Sequence, residues 1–441
     1  MKIAIYSHSI APSIDGVCRR FTALLSELNR LGHDILLFTL EEKPLDIPSN
    51  IKYITLDHMV IPSYPEKKVA RPSINSITKV WNGLRSFQPA VVHCTADGFS
   101  HMFTLVGLVL NIPVVASFHT DLMDLLSTHN ATAFQKKVVC SKEQIDSIVL
   151  DSCATTSVSF KSKLAKLGIH CQHIISTAVD IDTFSASKKK NSIRNAMTFG
   201  NEQGFLCVYV GRISREKRID IIAEAIKSID NAYLAIIGDG PSASIYRELH
   251  GSENRIYCQP RFLSHADLAE IYASSDVHVS ASEFETLGNT VLEAFACNIP
   301  VVVPKTQGFL DTVTDGNDGF LFTPGDYRSA RSYIQKLRDN TKLRIDMGKN
   351  GREKVSKLTI TNVVTDLISW YKLGIERRQG RSILNKIPCI LMLLVLVPSG
   401  MVLLAIYDIV MVILASFGYS AQEAAAHTDH TNVSKDNKKI D

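Results

Sequence analysis

The sequence lacks the residue patterns that would indicate zinc binding, disulfide exchange or nucleic-acid binding. Its nine cysteines, at positions 18, 94, 140, 153, 171, 207, 258, 297 and 389, are scattered and include no C-x-x-C pair. We expect them to be reduced core residues, as in a cytosolic protein. The formal net charge is only +4 on 441 residues, and no long basic block precedes the C-terminal region. Nucleic acid is therefore a poor candidate partner, whereas a weakly basic surface suits an anionic membrane.

Signatures of several common enzyme classes are also missing. The chain has no serine or cysteine nucleophile motif, no H-E-x-x-H and no Walker lysine. The acidic motif Asp180-Ile-Asp182 is too short to indicate a metal, so no metal site is expected. Gly238-Asp-Gly-Pro-Ser-Ala243 matches a dinucleotide fingerprint only formally, because Pro241 lies inside the turn. Gly238 is expected instead to form a tight turn that borders a cleft.

Two series of short β-rich runs alternate with helical patterns along the chain. The first begins at Lys2, which indicates a strand rather than a signal peptide, and the second begins at Phe205. This alternation predicts the α/β class, with two facing Rossmann-like, doubly wound domains and a cleft between them. The predicted segments are an N-terminal domain at 1–184, a polar linker at 185–204, a second domain at 205–358, a helix and basic segment at 359–386, a hydrophobic segment at 387–419 and a polar tail at 420–441.

Two carboxylates, Glu285 and Glu293, flank a predicted helix start at Gly288. The N-terminus of a helix offers unpaired N–H groups and a positive dipole end, which suit a phosphate. The carboxylates would repel a phosphate, but they can accept hydrogen bonds from hydroxyls on either side of one. A nucleotide sugar has this layout, with a ribose, a diphosphate and a hexose in order.

Cations and a histidine follow other predicted strands. Arg212 and Lys217 come after a strand of the second domain, at the edge where open α/β sheets bind ligands. A solvated basic loop is the alternative, but with the Glu285 segment alongside we favour a diphosphate site. In the first domain, Gly16 would let the backbone approach a phosphate or sugar, or would serve a plain strand–helix connection. His119 ends a strand on the same edge and could bind a sugar hydroxyl, although a lone histidine is usually structural.

The C-terminal region has the composition of a membrane segment. Residues 387–407 carry no charge, which is enough to cross a hydrocarbon core of ~30 Å. Apolar character continues to residue 419, with a possible kink at Pro398-Ser-Gly400, so one span is favoured over a re-entrant hairpin. Basic residues before the segment, from Lys372 to Lys386, predict a single-pass C-terminal anchor with the catalytic domains in the cytosol.

The motifs together resemble glycosyltransferase family 4, of the two-domain GT-B fold, over residues 1–375. The likeness extends to the sulfoquinovosyldiacylglycerol synthase branch of that family. It rests on Ile236-Ile-Gly-Asp-Gly-Pro241, Leu268-Ala-Glu-Ile-Tyr-Ala-Ser-Ser-Asp-Val277, Glu283-Phe-Glu-Thr-Leu-Gly288 and Gly319-Phe-Leu-Phe-Thr-Pro-Gly-Asp326. The resemblance implies a retaining glycosyltransferase that moves a sugar from a UDP-sugar to a membrane lipid. It also implies an acceptor-side first domain and a nucleotide-sugar-binding second domain.

The resemblance also implies roles for individual residues. Glu293 would bind the ribose, Glu285 the donor hexose, and Arg212 with Lys217 the diphosphate. Gly16 and His119 would close the donor pocket from the first domain. The implied catalytic residues are Glu285, His119, Arg212 and Lys217, and the implied donor-binding residues are Gly16, Arg212, Lys217, Gly238, Glu285, Thr286, Leu287, Gly288 and Glu293. The nucleotide sugar is a substrate, and no cofactor or metal is implied.

Other functions stay open at this stage. The C-terminal hydrophobic segment resembles the anchor of the family 4 enzyme that adds N-acetylglucosamine to phosphatidylinositol, and a mannosyltransferase acting on such a lipid is a related possibility. Nucleotide-sugar epimerases share the fold and need no second substrate. A degenerate module that only binds nucleotide sugar is the non-enzymatic alternative. The oligomeric state does not follow from the sequence.

Overall fold

The computed structural model describes residues 1–13, 15–61, 64–97, 99–128, 131–260, 263–380 and 391. The predicted membrane segment at 387–419 and the polar tail at 420–441 lie outside these ranges, apart from residue 391. Within the described ranges, no helix combines the length and the apolar composition that a membrane crossing requires.

The first domain is built on a parallel sheet with helices on both faces. Its strands are β1 (Lys2–Ser7), β2 (Asp34–Thr39), β3 (Lys52–Thr55), β6 (Val91–Thr95), β7 (Val114–Phe118), β8 (Ser152–Thr155) and β9 (His173–Ile174), and a separate antiparallel hairpin is formed by β4 (His58–Ile61) and β5 (Tyr64–Ala70). Its helices are α1 (Gly16–Arg30), α2 (Ile74–Phe87), α3 (Ser100–Leu110), α4 (Leu122–Thr128), α5 (Ala133–Val149) and α6 (Val158–Lys166). In the described residues the sheet order is β3-β2-β1-β6-β7-β8-β9.

The second domain repeats this plan. Its strands are β10 (Phe205–Val210), β11 (Ala232–Gly238), β12 (Ile256–Pro260), β13 (Val277–Val279), β14 (Val301–Pro304) and β15 (Gly319–Phe322), and the described residues give the order β12-β11-β10-β13-β14-β15. The remaining helices are α7 (Asn191–Met197), α8 (Ile219–Lys227), α9 (Ala243–Glu248), α10 (His265–Ala273), α11 (Asn289–Ala296), α12 (Phe309–Thr312), α13 (Tyr327–Asp339), α14 (Thr341–Val355) and α15 (Ile360–Gln379).

The central strands are apolar on both faces because helices cover both sides of each sheet. All six residues of β10 are buried, and five of the six residues of β1 are buried. In each sheet the chain leaves in opposite directions from two adjacent strands, β1 and β6 in the first and β10 and β13 in the second. Open α/β sheets bind ligands beyond the carboxyl ends of such strand pairs.

The last described helix packs against the first domain, although it follows the second along the chain. Val364, Leu367 and Tyr371 of α15 are buried in the core that includes Ile3 and Ile5 of β1. The indole nitrogen of Trp370, also in α15, donates to the Ser152 hydroxyl over 2.8 Å. The first domain is therefore completed by residues that lie far away in sequence.

The segments between and after the two domains pack against them. Residues 185–204 are not a purely irregular linker, because they contain α7, whose Met197 is buried in the second domain. Arg194 in the same helix is paired with Asp276 at 2.7 Å. In the basic segment, Arg378 is buried and donates to the carbonyl of Leu108 over 3.1 Å.

Candidate active site

A cavity of about 940 Å³ lies between the carboxyl edges of the two sheets. All of the residues predicted from the sequence line it: Gly16, His119, Arg212, Lys217, Gly238, Glu285, Thr286, Leu287, Gly288 and Glu293. Lining residues come from loops after β1, β7, β10, β11 and β13, so the strand ends of both domains converge on one space. A space of this volume accommodates a nucleotide sugar.

The loop after β13 places Glu285 against Lys217. The Lys217 ammonium forms an ion pair with the Glu285 carboxylate and approaches the Ser282 hydroxyl at 3.4 Å. The Glu285 carbonyl accepts from the backbone N–H of Gly308 over 2.8 Å, which fixes the loop. The acid and the cation therefore touch each other, whereas the sequence placed them only on the same edge.

Helix α11 begins where the sequence predicted. Gly288 precedes it with a φ of 86°, a left-handed conformation that suits glycine, and no side chain caps the helix. Its first N–H groups therefore stay available to a ligand in the cavity that Leu287 and Gly288 line. Five residues on, Glu293 is only 8% exposed.

The Glu293 carboxylate is held by one residue from each domain. Tyr272 donates its hydroxyl over 3.2 Å, and Arg19 of α1 donates over 3.2 Å. Burial raises the pKa of Glu293, although Arg19 and Tyr272 act in the opposite direction. The two domains are thus linked through the carboxylate that was predicted to bind ribose.

Arg19 and Arg20 of α1 are not among the residues predicted for the site from the sequence. Both line the cavity, and Arg20 is only 9% exposed. The Arg20 guanidinium donates to the carbonyl of Ile175 over 3.4 Å, and burial lowers the pKa of Arg20 to about 10. The sequence feature that could have identified them is a pair of arginines directly before the buried Phe21, in the first turns of a helix that begins at the cleft.

Arg212 follows the end of β10, and Gly238 is the last residue of the neighbouring strand β11. The Arg212 carbonyl accepts from the Tyr209 hydroxyl over 2.7 Å, and burial lowers the pKa of the Arg212 guanidinium. A Cβ on Gly238 would lie 1.9 Å from the Gly211 carbonyl oxygen. Gly238 therefore permits a close backbone approach directly beside Arg212.

His119 ends a chain of hydrogen bonds that runs from α15 to the cavity. Its Nε2 is 2.6 Å from the Ser117 hydroxyl, which is 2.7 Å from Nε2 of His93. Nδ1 of His93 is 2.7 Å from the hydroxyl of Tyr371. Burial lowers the pKa of His93 to about 3, and burial together with Arg20 holds the pKa of His119 well below its ordinary value. Both imidazoles are therefore neutral.

The direction of this chain follows from the tyrosine. Burial raises the pKa of Tyr371, so its hydroxyl keeps its proton, and His93 is its hydrogen-bond partner among the described residues. Tyr371 therefore donates to Nδ1 of His93, Nε2 of His93 donates to Ser117, and Ser117 donates to Nε2 of His119. His119 is left with its proton on Nδ1 and is an N–H donor there.

Replacing Ser117 with alanine is expected to lower the free energy of unfolding by about 1–3 kcal/mol, because Nε2 of the buried His93 and Nε2 of His119 each lose their partner. The test is the urea midpoint followed by the fluorescence of Trp81 and Trp370, which both pack on the first domain. Ser26→Ala is the matched control, since that exposed hydroxyl bonds only within its own helix. Equal midpoints for the two variants would contradict the hydrogen-bond chain.

Thr286 joins the domains directly beneath the predicted donor site. Its hydroxyl donates to the carbonyl of His119 over 3.0 Å, and its own carbonyl accepts from the Thr156 hydroxyl at 3.3 Å. At the same interface between the domains, a Cβ added to Gly16 would lie 2.9 Å from Nδ2 of the Asn289 side chain. The first domain thus contacts the 285–288 loop at Thr286. Its Gly16 lies close to the start of α11.

Comparison with known protein families agrees with this arrangement. Residues 14–183 match the model described as Glycosyltransferase Family 4, and residues 193–354 match the model described as Glycosyl transferases group 1. The sulfoquinovosyl transferase of Arabidopsis thaliana is 24% identical over 351 residues, which cover 78% of this chain and 68% of that protein. The alpha-monoglucosyldiacylglycerol synthase of Acholeplasma laidlawii is 26% identical over 378 residues, covering 79% of this chain and 91% of its own.

Solved structures show the same fold. HepE of Anabaena, solved in complex with UDP and glucose, superposes with a TM-score of 0.66 at 16% identity, covering 84% of this chain and 99% of that chain. The sucrose-phosphate synthase of Thermosynechococcus elongatus gives a TM-score of 0.65 at 19% identity, with coverages of 84% and 98%. With matches to both domain families and to this architecture, the chain belongs to the family 4 glycosyltransferases of the GT-B fold.

Proposed function

We propose that this glycosyltransferase moves a sugar from a UDP-sugar to a hydroxyl of a membrane lipid, with retention of anomeric configuration. One observation carries the proposal. A single interdomain cavity holds Lys217 with Glu285 beside the open start of α11, and Glu293 lies farther along the same helix. That order of groups matches a hexose, a diphosphate and a ribose.

The proposed roles follow from charge and position. Arg212, Lys217 and the N–H groups at the start of α11 neutralise the diphosphate, whose negative charge grows as it leaves. Glu293 accepts hydrogen bonds from the ribose hydroxyls in exchange for Arg19. Glu285 accepts from the hexose, and His119 donates to it. The protein mainly positions the reactants and neutralises charge, with departure and attack on the same face of the sugar.

The lipid acceptor is supported by relatives and by the sequence. The relative from Acholeplasma laidlawii is an alpha-monoglucosyldiacylglycerol synthase, and diacylglycerol is a membrane lipid. We propose that the hydrophobic segment at 387–419 anchors the enzyme with both domains in the cytosol. The first domain, against which α15 packs, would then face the membrane.

The donor is tested first. We expect UDP to raise the thermal unfolding midpoint of the full chain more than GDP does, since ligands that bind only the native state stabilise it. Radiolabelled UDP-glucose, UDP-N-acetylglucosamine and UDP-sulfoquinovose are then offered with phosphatidylcholine vesicles that contain diacylglycerol or phosphatidylinositol. Product lipids are identified by mass spectrometry and the new anomeric centre by NMR.

Each outcome of this assay bears on the proposal. An α-linked glycolipid, formed equally well in EDTA, would support retention without a metal. Larger stabilisation by GDP would overturn the choice of UDP, and an inverted anomer would overturn retention. Conversion of the donor without acceptor would indicate an epimerase, and tight UDP binding with no turnover would indicate a binding module.

A further inference from the structure

The first domain has its own ligand crevice, at the carboxyl ends of the adjacent strands β1 and β6. Helix α1 leaves β1 toward β2, and α3 leaves β6 toward β7, so the chain diverges at this point. His8 directly follows β1 and lines the cavity. Asp97 lies two residues beyond β6. Neither residue is among the site residues predicted from the sequence, and neither belongs to the proposed donor-binding groups.

Asp97 is held as a carboxylate. It accepts from the Tyr6 hydroxyl over 2.9 Å and from the backbone N–H groups of Phe99 and Ser100, at 2.9 and 3.1 Å, at the start of α3. Burial raises the pKa of Asp97, but the bonds from His8, Phe99 and Tyr6 outweigh it, and the net pKa is below the ordinary value. A helix N-terminus adds to this stabilisation of the anion.

The carboxylate fixes the orientation of His8. Nδ1 of His8 lies 3.0 Å from the Thr95 hydroxyl and 3.3 Å from the Asp97 carboxylate. Because the carboxylate can only accept, Nδ1 carries the proton of a neutral His8 and Nε2 keeps its lone pair. The His8 side chain retains 16% exposure, so Nε2 is the nitrogen left for a ligand.

The first-domain wall around His8 offers polar groups that can surround an alcohol. Asp15 lines the same wall and accepts from the Ser9 hydroxyl over 2.8 Å. Lys68 also lines it, but its ammonium is paired with the buried Glu41 at 2.6 Å. The lone pair of His8 requires a hydrogen-bond donor, which a hydroxyl supplies and a fully ionised phosphate does not.

We propose that His8, oriented by Asp97, binds the acceptor's hydroxyl through Nε2 and takes its proton during transfer. The inference rests on the proposed function and names the acceptor side of that site. As the acceptor oxygen bonds to the anomeric carbon, the bond from that carbon to the diphosphate oxygen breaks. The proton goes to Nε2 of His8, and the diphosphate leaves as an anion toward Arg212 and Lys217. The acceptor class is an alcohol, such as a glycerol or polyol hydroxyl of a lipid.

The test compares acceptor chemistry with donor binding in the full-length enzyme. In His8→Gln, transfer to diacylglycerol or phosphatidylinositol in phosphatidylcholine vesicles is expected to fall about 100-fold or more, as for loss of a general base. UDP affinity, measured by calorimetry, is expected to stay at the wild-type value. Asp97→Asn keeps a side-chain oxygen for capping α3 but loses the fixed proton on Nδ1, so its kcat should fall by an intermediate factor.

His33→Gln is the matched control, because that histidine is outside the cavity lining. The inference is overturned if His8→Gln transfers within about threefold of wild type, well short of the loss of a general base. It is also overturned if UDP affinity and transfer fall together, which would indicate a donor-side or structural role. If the wild-type enzyme transfers sugar to neither lipid, the proposed function itself is contradicted. That result is distinct from the one that overturns this inference, in which wild type and His8→Gln both transfer sugar.

Discussion

Glu285→Ala and Lys217→Ala are each expected to lower sugar transfer by about a thousandfold, the size of effect seen when a preorganised electrostatic group is removed. The two side chains form one ion pair in the cavity. Lys217 is proposed to neutralise the departing diphosphate, and Glu285 to hold the hexose. UDP contains the diphosphate but no hexose. Lys217→Ala should therefore weaken UDP binding, whereas Glu285→Ala should leave it largely unchanged.

Neither substitution is expected to unfold the enzyme. The side chains are 21% and 25% exposed, so their ion pair contributes at most about 1 kcal/mol to stability. The matched control is Glu270→Ala, which removes another ion pair of the second domain, with Lys190 at 2.5 Å, outside the cavity. Transfer, UDP affinity and the thermal midpoint are measured for all three variants. Near-normal turnover in either site variant would refute the assignment of this site.

Much of the site could be predicted because parallel strands bring their carboxyl ends together. The run Phe205–Val210 indicates a buried strand from apolar residues alone, and Arg212 must then lie at the edge of the sheet. Gly288 similarly indicated the start of α11 to within one residue. Because the ends of adjacent strands lie together, Arg212 and the 285–288 loop could be placed in one cavity without knowing how the two domains pack.

The residues that were missed depend on contacts between distant parts of the chain. Helical spacing around Phe21 defines which face of α1 meets its own sheet, but it does not show that the opposite face meets Glu293, 274 positions away from Arg19. The place of His93 in the hydrogen-bond chain was not predicted either. Its role follows from Tyr371 on α15, which is 278 positions away. Such pairings are fixed by how the domains pack.

Short strands are hard to predict from the sequence, for a local reason. β8 consists of Ser152–Thr155, where polar and small residues hide the apolar signal. It is nevertheless buried throughout, because α15 covers it and Trp370 bonds to Ser152. β9 is shorter still, because only His173–Ile174 pairs with β8. β8 ends at Thr155, which pairs with Ile174, so the residues after Ile174 have no strand beside them.

Gly238→Ala is expected to be the most destabilising single substitution among the predicted site residues, lowering the free energy of unfolding of the second domain by about 3 kcal/mol or more. The φ of Gly238 is 140°, and an added Cβ would lie 1.9 Å from the Gly211 carbonyl oxygen. That atom is backbone and belongs to the residue before Arg212. The strain should therefore displace Arg212 and weaken UDP binding as well.

Gly325→Ala separates the two causes of strain. Gly325 has a φ of 76°, and an added Cβ there would meet no atom within 4 Å, so only the cost of a left-handed backbone applies, about 1–2 kcal/mol. Urea midpoints from circular dichroism and UDP affinities are compared for both variants. A Gly238→Ala protein as stable as Gly325→Ala would mean that β10 and β11 can separate freely at their ends. Because Arg212 is positioned by that close backbone contact, such freedom would also contradict a preorganised diphosphate site.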